Sequence, residues 1–119
     1  DIALSKLLFK LARKHEELEA VTQSLSITTL RYVPLDYRDN IEKNTIYLNK
    51  LNETLLNDLQ KGGEVFLSNA LVKEKYCLRA CIVNFRTSKK DIEEIIAIIV
   101  REGKKVHREM QEKVNGEMV

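Results

Sequence analysis

The sequence predicts an α/β protein of the α+β two-layer kind, a small antiparallel sheet with helices packed on one face, in the order α-β-β-α-β-β-α. Three observations predict it. Apolar residues recur at helical spacing in three separate segments, near 2–16, 40–61 and 88–112. Shorter runs lie between them in two close pairs, richest in β-branched and aromatic residues at Leu25–Val33 and Tyr76–Val83. With one Pro and four Gly in 119 residues, there is little flexible linker, so residues 1–119 read as one domain.

The first helix carries Leu4, Leu7, Leu8, Leu11, His15 and Leu18 on one stripe, with Lys6, Lys10, Arg13, Lys14 and Glu17 mostly elsewhere. Leu18–Val21 can be extended, Thr22-Gln23-Ser24 is a polar turn, and Leu25–Val33 is a strand that stops at Pro34; the two can pair as a hairpin. Pro34–Asn40 is a loop with Asp36, Asp39 and Asn40 as cap candidates. A second helix from about Asn40 to Lys61 buries Ile41, Leu48, Leu51, Leu55 and Leu59 and ends at Gly62-Gly63. A third strand runs from Val65-Phe66-Leu67 toward Val72, Lys73-Glu74-Lys75 is a charged turn, and Tyr76–Val83 is a fourth strand paired with the third. Thr87 or Ser88 caps the third helix, with Asp91 in its first turn and Ile92, Ile95, Ile96, Ile99, Val106 and Met110 as its core stripe. Arg101, Lys104, Lys105 and Arg108 crowd its second half, as the negative end of a helix favours, and fraying is expected from about Lys113.

An apolar fraction of 44% and a charged fraction of 32% are those of a globular rather than a disordered chain. A net charge of +2 is too balanced for the concentrated basic footprint of a nucleic-acid binder. The strands also lack the interleaved aromatic and basic residues of an RNA-stacking sheet. No apolar run approaches the ~20 residues of a membrane span, and no signal peptide opens the chain. The start at Asp1 suggests a piece of a longer polypeptide, with a processed or tag-cleaved small protein as the alternative.

Cys77 and Cys81, four residues apart on one strand face, would be separated by roughly 13 Å, whereas a disulfide needs less than about 7 Å between Cα atoms. They read as two small buried hydrophobes, and unpaired thiols suit a reducing cytoplasm. Gly62-Gly63 sits in neither a GxGxxG nor a GxxxxGK pattern, and no HExxH or CxxC occurs. His15 and His107 read as solvated or edge residues. Glu16-Glu17 and Glu93-Glu94 are helix-surface carboxylates pointing about 100° apart, not acid/base pairs. Lys89-Lys90 reads as a solvated helix start.

Two arginines stand out. Strand alternation in Tyr76–Val83 puts Cys77, Arg79, Cys81 and Val83 on one face and Tyr76, Leu78, Ala80 and Ile82 on the other. Both faces are mostly apolar, so both are expected to be covered. A guanidinium keeps its proton in such a place and is costly to bury unless an anion meets it. Arg79 is therefore the candidate anion-binding residue, with a structural ion pair or a partly exposed edge position as the alternatives. Arg86, in Asn84-Phe85-Arg86-Thr87, reads as a loop or cap contact, and Asn84 as a turn residue. Tyr32 and Tyr76 read as core residues with tethered hydroxyls, or as rim hydroxyls.

Three segments together resemble the C-terminal small domain of the group II pyridoxal-phosphate-dependent decarboxylases, which include aromatic-L-amino-acid, histidine and glutamate decarboxylases. They are a helix followed by Ser24-Leu25-Ser26-Ile27-Thr28-Thr29-Leu30-Arg31-Tyr32-Val33-Pro34; Leu48–Leu56 followed by Gly62-Gly63-Glu64-Val65-Phe66-Leu67-Ser68; and Tyr76–Thr87 with the helix carrying Asp91. No one segment is diagnostic; their order and spacing make the likeness specific, and it covers nearly the whole chain.

The resemblance implies a fragment of a fold-type-I enzyme whose large cofactor domain is absent. The large domain would carry the Schiff-base lysine, the aspartate at the pyridine nitrogen and the phosphate cup, none of which this chain contains. Pyridoxal 5'-phosphate would belong to the intact enzyme and would not be bound by this fragment, which would be inactive alone. The partners implied are the large domain of the same polypeptide and a second subunit of a cytoplasmic homodimer, with no nucleic acid and no membrane. Arg79 would grip the substrate α-carboxylate by a bidentate ion pair. The domain's share would be orientation and desolvation of that carboxylate and completion of the cleft. An apolar patch is expected where the large domain was, including part of the first helix and the sheet rim. The competing reading is a stand-alone ligand-binding or interaction module, motivated by the lack of any catalytic motif.

Overall fold

A computed structural model describes residues 1–63, 67–83 and 87–117. In chain order the elements are α1 (Ile2–Lys14), β1 (Leu18–Ser24), β2 (Ile27–Tyr32), two short 3-10 turns (Leu35–Asn40 and Glu42–Asn44), α2 (Thr45–Gly62), β3 (Ser68–Val72), β4 (Lys75–Cys81) and α3 (Lys89–Glu117). The strands form one antiparallel sheet in the order β1-β2-β4-β3, so the second strand of each hairpin lies at the centre.

Local chemistry sets the boundaries. Asp1 caps α1 by accepting the Leu4 N–H at 3.1 Å. Gly63, at φ 66°, takes the left-handed position after α2 at no steric cost. Ser88 and Asp91 form a reciprocal cap on α3: Asp91 accepts the Ser88 N–H at 2.8 Å and Ser88 Oγ accepts the Asp91 N–H at 3.3 Å. The second helix begins later than its apolar pattern suggests, because residues 35–44 fold as 3-10 turns. Helix α3 extends to Glu117, beyond the expected fraying point at Lys113. Its basic group at 101–108 is therefore mid-helix, and its last turn holds no basic residue, so the helix dipole does not account for that group. The expected start of the third strand at Val65-Phe66 lies outside the described residues.

The core lies between the sheet and the helices. Leu30, Leu78, Ala80 and Ile82 from the sheet meet Leu8 and Ala12 of α1, Leu48, Leu51, Leu55 and Leu59 of α2, and Ile92, Ile99 and Val106 of α3. Burying a side chain of this size stabilises the fold by about 1.5–3 kcal/mol relative to leaving it exposed. Polar pins fix the helices on the sheet. Thr28 of β2 donates to the Ser5 carbonyl at 2.7 Å, and the two hydroxyls lie 2.8 Å apart, both residues fully buried. Tyr32 is buried with its hydroxyl donating to Glu17 at 2.7 Å, so Glu17 is a buried acceptor and not the surface carboxylate its helical setting suggested. Burial, that hydrogen bond and the carboxylate charge all push the Tyr32 phenol far above its ordinary range. The Tyr32 ring also fits against Gly103, where any Cβ would come within 2.5 Å of it.

The β2–β4 ladder opens at one end. Paired positions run from Ile27–Cys81 to Leu30–Leu78, and beyond them α2 inserts two asparagines. Asn52 accepts the Tyr32 N–H at 2.8 Å and donates to the Tyr32 carbonyl at 3.0 Å. Asn49 accepts the Tyr76 N–H at 2.9 Å and donates to the Glu74 carbonyl at 2.9 Å.

Candidate functional site

The helices pack with Leu30, Leu78, Ala80 and Ile82 on one face of the sheet, and the register decides what stands on the other. β1 has a bulge at Val21, between the Ala20–Leu30 and Thr22–Thr29 pairs. The extra residue turns Thr22 to the same face as Glu19; unbroken alternation would have turned it toward the core. One row then crosses all four strands in register: Thr22, Thr29, Arg79 and Ser68. A second row holds the Glu19–Arg31 pair and the Cys77–Ala70 pair.

Arg79 stands in the first row, half-buried, between the core residues Leu78 and Ala80 of its own strand. Among the described residues its one hydrogen bond is from Nη1 to Ser68 Oγ at 3.5 Å, the limit for such a bond. The neighbouring hydroxyls are tied to each other: Thr22 and Thr29 Oγ1 lie 2.6 Å apart, and Thr29 Oγ1 accepts the Thr22 N–H at 3.0 Å. The row thus presents a half-buried guanidinium with spare donors, flanked by the buried Thr29 on one side and the half-buried Ser68 on the other. Such an arrangement can receive a carboxylate or phosphate in bidentate fashion.

The fully buried guanidinium is Arg31, not Arg79. Arg31 is 0% exposed, and its Nε and Nη2 donate to the two Glu19 oxygens at 3.0 and 3.3 Å. Lys75 Nζ reaches the same carboxylate at 3.3 Å. Arg31 Nη1 is buried with no hydrogen-bond partner among the described residues. Burial alone would raise the Glu19 carboxyl; the Arg31 hydrogen bond and charge, with Lys75, outweigh it and hold the group below its ordinary range. The expectation that both faces of β4 are covered is corrected accordingly: the core face is sealed, while on the other face Cys77 is buried, Arg79 half-buried and Cys81 exposed. Both cysteines are free; burial first pushes the Cys77 thiol up, so it stays neutral.

A second polar cluster, absent from the sequence reading, lies in the helix layer. His107 sits 15% exposed, with Nδ1 2.6 Å from the Tyr47 hydroxyl and Nε2 3.1 Å from Asp36. Gln111 donates to the hydroxyls of Tyr37 and Tyr47 at 3.1 and 3.2 Å, and the two tyrosine rings meet edge-on at 4.8 Å. His107 is therefore an enclosed, hydrogen-bonded residue and not a solvated one. Its partners come from the turn after Pro34 and from α2, and periodicity along α3 carries no signal for them. Among the described residues no group of three His, Cys, Asp or Glu side chains is placed to hold a metal. Arg86 and Asn84 lie outside the described residues.

The expected apolar rim is partly visible. Ile2 is 47% and Val83 72% exposed, and the Asp1 ammonium donates to the Ile82 carbonyl, which brings the start of α1 to the end of β4. Leu25, 71% exposed, is at the same end, where the Ser26 carbonyl accepts the Ile82 N–H.

The fold is shared with one part of several solved decarboxylases. Over 92% of its length the chain superposes, at a TM-score of 0.71 and 18% identity, on 22% of the Oryza sativa TDC solved with PLP and tryptamine. The glutamate decarboxylase domain from Vibrio parahaemolyticus matches over 87% of the chain and 21% of that protein, at 0.74 and 21% identity. Mouse CSAD in apo form matches over 85% of the chain and 22% of that protein, at 0.75 and 19% identity. In sequence, the chain is 31% identical over 84 residues to an aromatic-L-amino-acid decarboxylase of Bacillus atrophaeus, covering 70% of the chain and 16% of the enzyme. Residues 8–111 match the model of the PDXDC1-like second central domain, and the chain belongs to that family. It spans about a fifth of the length of the relatives it matches.

Proposed function

We propose that the chain is the small domain of a pyridoxal-phosphate-dependent amino-acid decarboxylase, where it completes the active-site cleft and orients the substrate carboxylate through Arg79. The observation that carries the reading is the four-strand row on the sheet face opposite the core. A guanidinium held by one 3.5 Å contact stands among hydroxyls, where the rest of a larger protein can meet it. The exposed apolar residues Ile2, Leu25 and Val83, gathered at one end of the sheet, support burial against a larger protein.

The described residues do not make a cofactor cup of their own. Their lysines are all exposed except Lys75, which is committed to Glu19, so no ammonium stands in a dry cavity ready to take an aldehyde. No phosphate-cradling glycine loop is present. On this reading the cofactor chemistry belongs to a large domain of the same polypeptide, and this chain is inactive alone. Arg79 would position the carboxylate and shed its water; because a tight grip on a departing group also stabilises the ground state, its benefit to rate is geometric. The intact protein is, on this reading, a cytoplasmic homodimer.

The test is an assay of the full-length gene product, with added pyridoxal phosphate, for amine formation from a panel of amino acids. Amine release by the full-length protein and none by residues 1–119 is the expected result. No amine from any amino acid by cofactor-loaded protein would overturn the decarboxylase reading.

A further inference from the structure

The basic group of α3 has lost the explanation its sequence suggested, since it is mid-helix and away from the negative end. Arg101, Lys104, Lys105 and Arg108 fall at i, i+3, i+4 and i+7, one face of a helix over about 10 Å. All four are exposed. They edge a cavity of about 610 Å³ between α3 and the end of α1, with Ala97 and Val100 as its apolar lining, Glu102 as its one carboxylate and His15 on the α1 side. The neighbouring last turn of α1 adds Arg13 and Lys14.

We infer that this groove is a docking site for an acidic segment of a partner protein, one that presents carboxylates at helical spacing. The stripe already binds carboxylates of its own chain: Lys104 meets Glu17 at 3.3 Å and Arg101 meets Glu102 at 3.0 Å. Glu17 is also tied to Tyr32, so this end of the groove is fixed. Lys105 and Arg108, on the same stripe, form no ion pair among the described residues.

Shape and charge select the occupant. A concave valley with small apolar residues admits a single chain segment, which can lay its own apolar side on Ala97 and Val100. A flat anionic bilayer would meet the exposed Glu109 and Glu112 of the same helix along with the cations. The chain's net charge of +2 also lacks the excess that a polyphosphate backbone rewards. The stripe lies in the helix layer, away from the Arg79 row, so the two faces can be occupied together and the inference does not depend on the decarboxylase reading.

The test uses fluorescence anisotropy of the full-length gene product with a labelled alanine-based peptide bearing glutamates at i, i+3, i+4 and i+7. Parallel arms use phosphatidylserine vesicles and an oligouridylate. Binding of the peptide, weakening with salt, is expected, and Lys105→Glu with Arg108→Glu should reduce it about tenfold while the melting temperature holds. Lys105→Arg should retain it. Three results overturn the inference: unchanged affinity in the charge-reversed variant, tighter binding to vesicles or oligouridylate than to the peptide, or self-association of the protein abolished by the same two substitutions.

Discussion

Asn52 takes the place of a strand for Tyr32, accepting its N–H and donating to its carbonyl from a helix that crosses the splayed end of the sheet. A third bond, from Asn52 Nδ2 to the Leu48 carbonyl at 2.9 Å, fixes the amide in its own helix. Asn49, one turn earlier, accepts the Tyr76 N–H and donates to the Glu74 carbonyl. The two asparagines let β2 and β4 separate without orphaning buried backbone groups.

Asn52→Leu is therefore expected to destabilise the domain by about 2–4 kcal/mol, since it leaves two buried backbone groups unpaired. Asn49→Ala, at a half-buried site, should cost about 1 kcal/mol. Urea midpoints at constant slope would measure both, and equal effects would contradict the assigned burial.

Gly103 is required by the ring it faces. Gly103→Ala would place a methyl about 2.5 Å from Tyr32 and force α3 outward, at about 1–3 kcal/mol. Combining it with Tyr32→Leu should recover part of that loss. A thermal melt showing Gly103→Ala neutral would mean the helix yields freely at this point.

Arg79→Lys in the full-length protein should lower amine formation about tenfold or more with the melting temperature nearly unchanged, because lysine keeps the charge and loses the fork. A fall in stability with turnover retained would assign Arg79 to structure.

The Glu19 carboxyl is held low in the fold by Arg31 and Lys75. Its contribution to stability is complete above the ordinary carboxylate range and disappears as pH falls through the lower folded value. Denaturation followed from pH ~7 to pH ~2 should show this loss, and Glu19→Gln should flatten that part of the curve. An unchanged acid limb in the variant would remove Glu19 from the account.

The turn between β3 and β4 has Lys73 at φ 49° and Glu74 at φ 69°, both left-handed without glycine or asparagine. Lys73→Asn with Glu74→Gly should stabilise the domain by about 1 kcal/mol, read as a raised melting temperature.

Much of this was readable from residue order. The element sequence, the Ser88–Asp91 cap and the glycine after α2 follow from local rules, because each depends on neighbours within a turn or two. Alternation singles out Arg79 as a candidate buried guanidinium, with a partly exposed edge position left open, although Arg31, between Leu30 and Tyr32, has the same alternating setting. What separates them is lateral: Glu19 on β1 faces Arg31, whereas Thr29 and Ser68 face Arg79. Lateral neighbours are fixed by register, and here a bulge shifted it by one. The asparagines of α2 and the His107 cluster were missed for the same reason, since their partners come from distant segments.

That one surplus residue, Val21, sets the phase of β1 on either side of it. Taken up as a bulge, it leaves Ala20 on the core face and Thr22 on the other; paired in plain alternation, it would swing Thr22 and the residues after it through half a turn. The acidic partner of Arg31 and the hydroxyl row beside Arg79 thus share a face because the strand absorbs its extra residue at this one point.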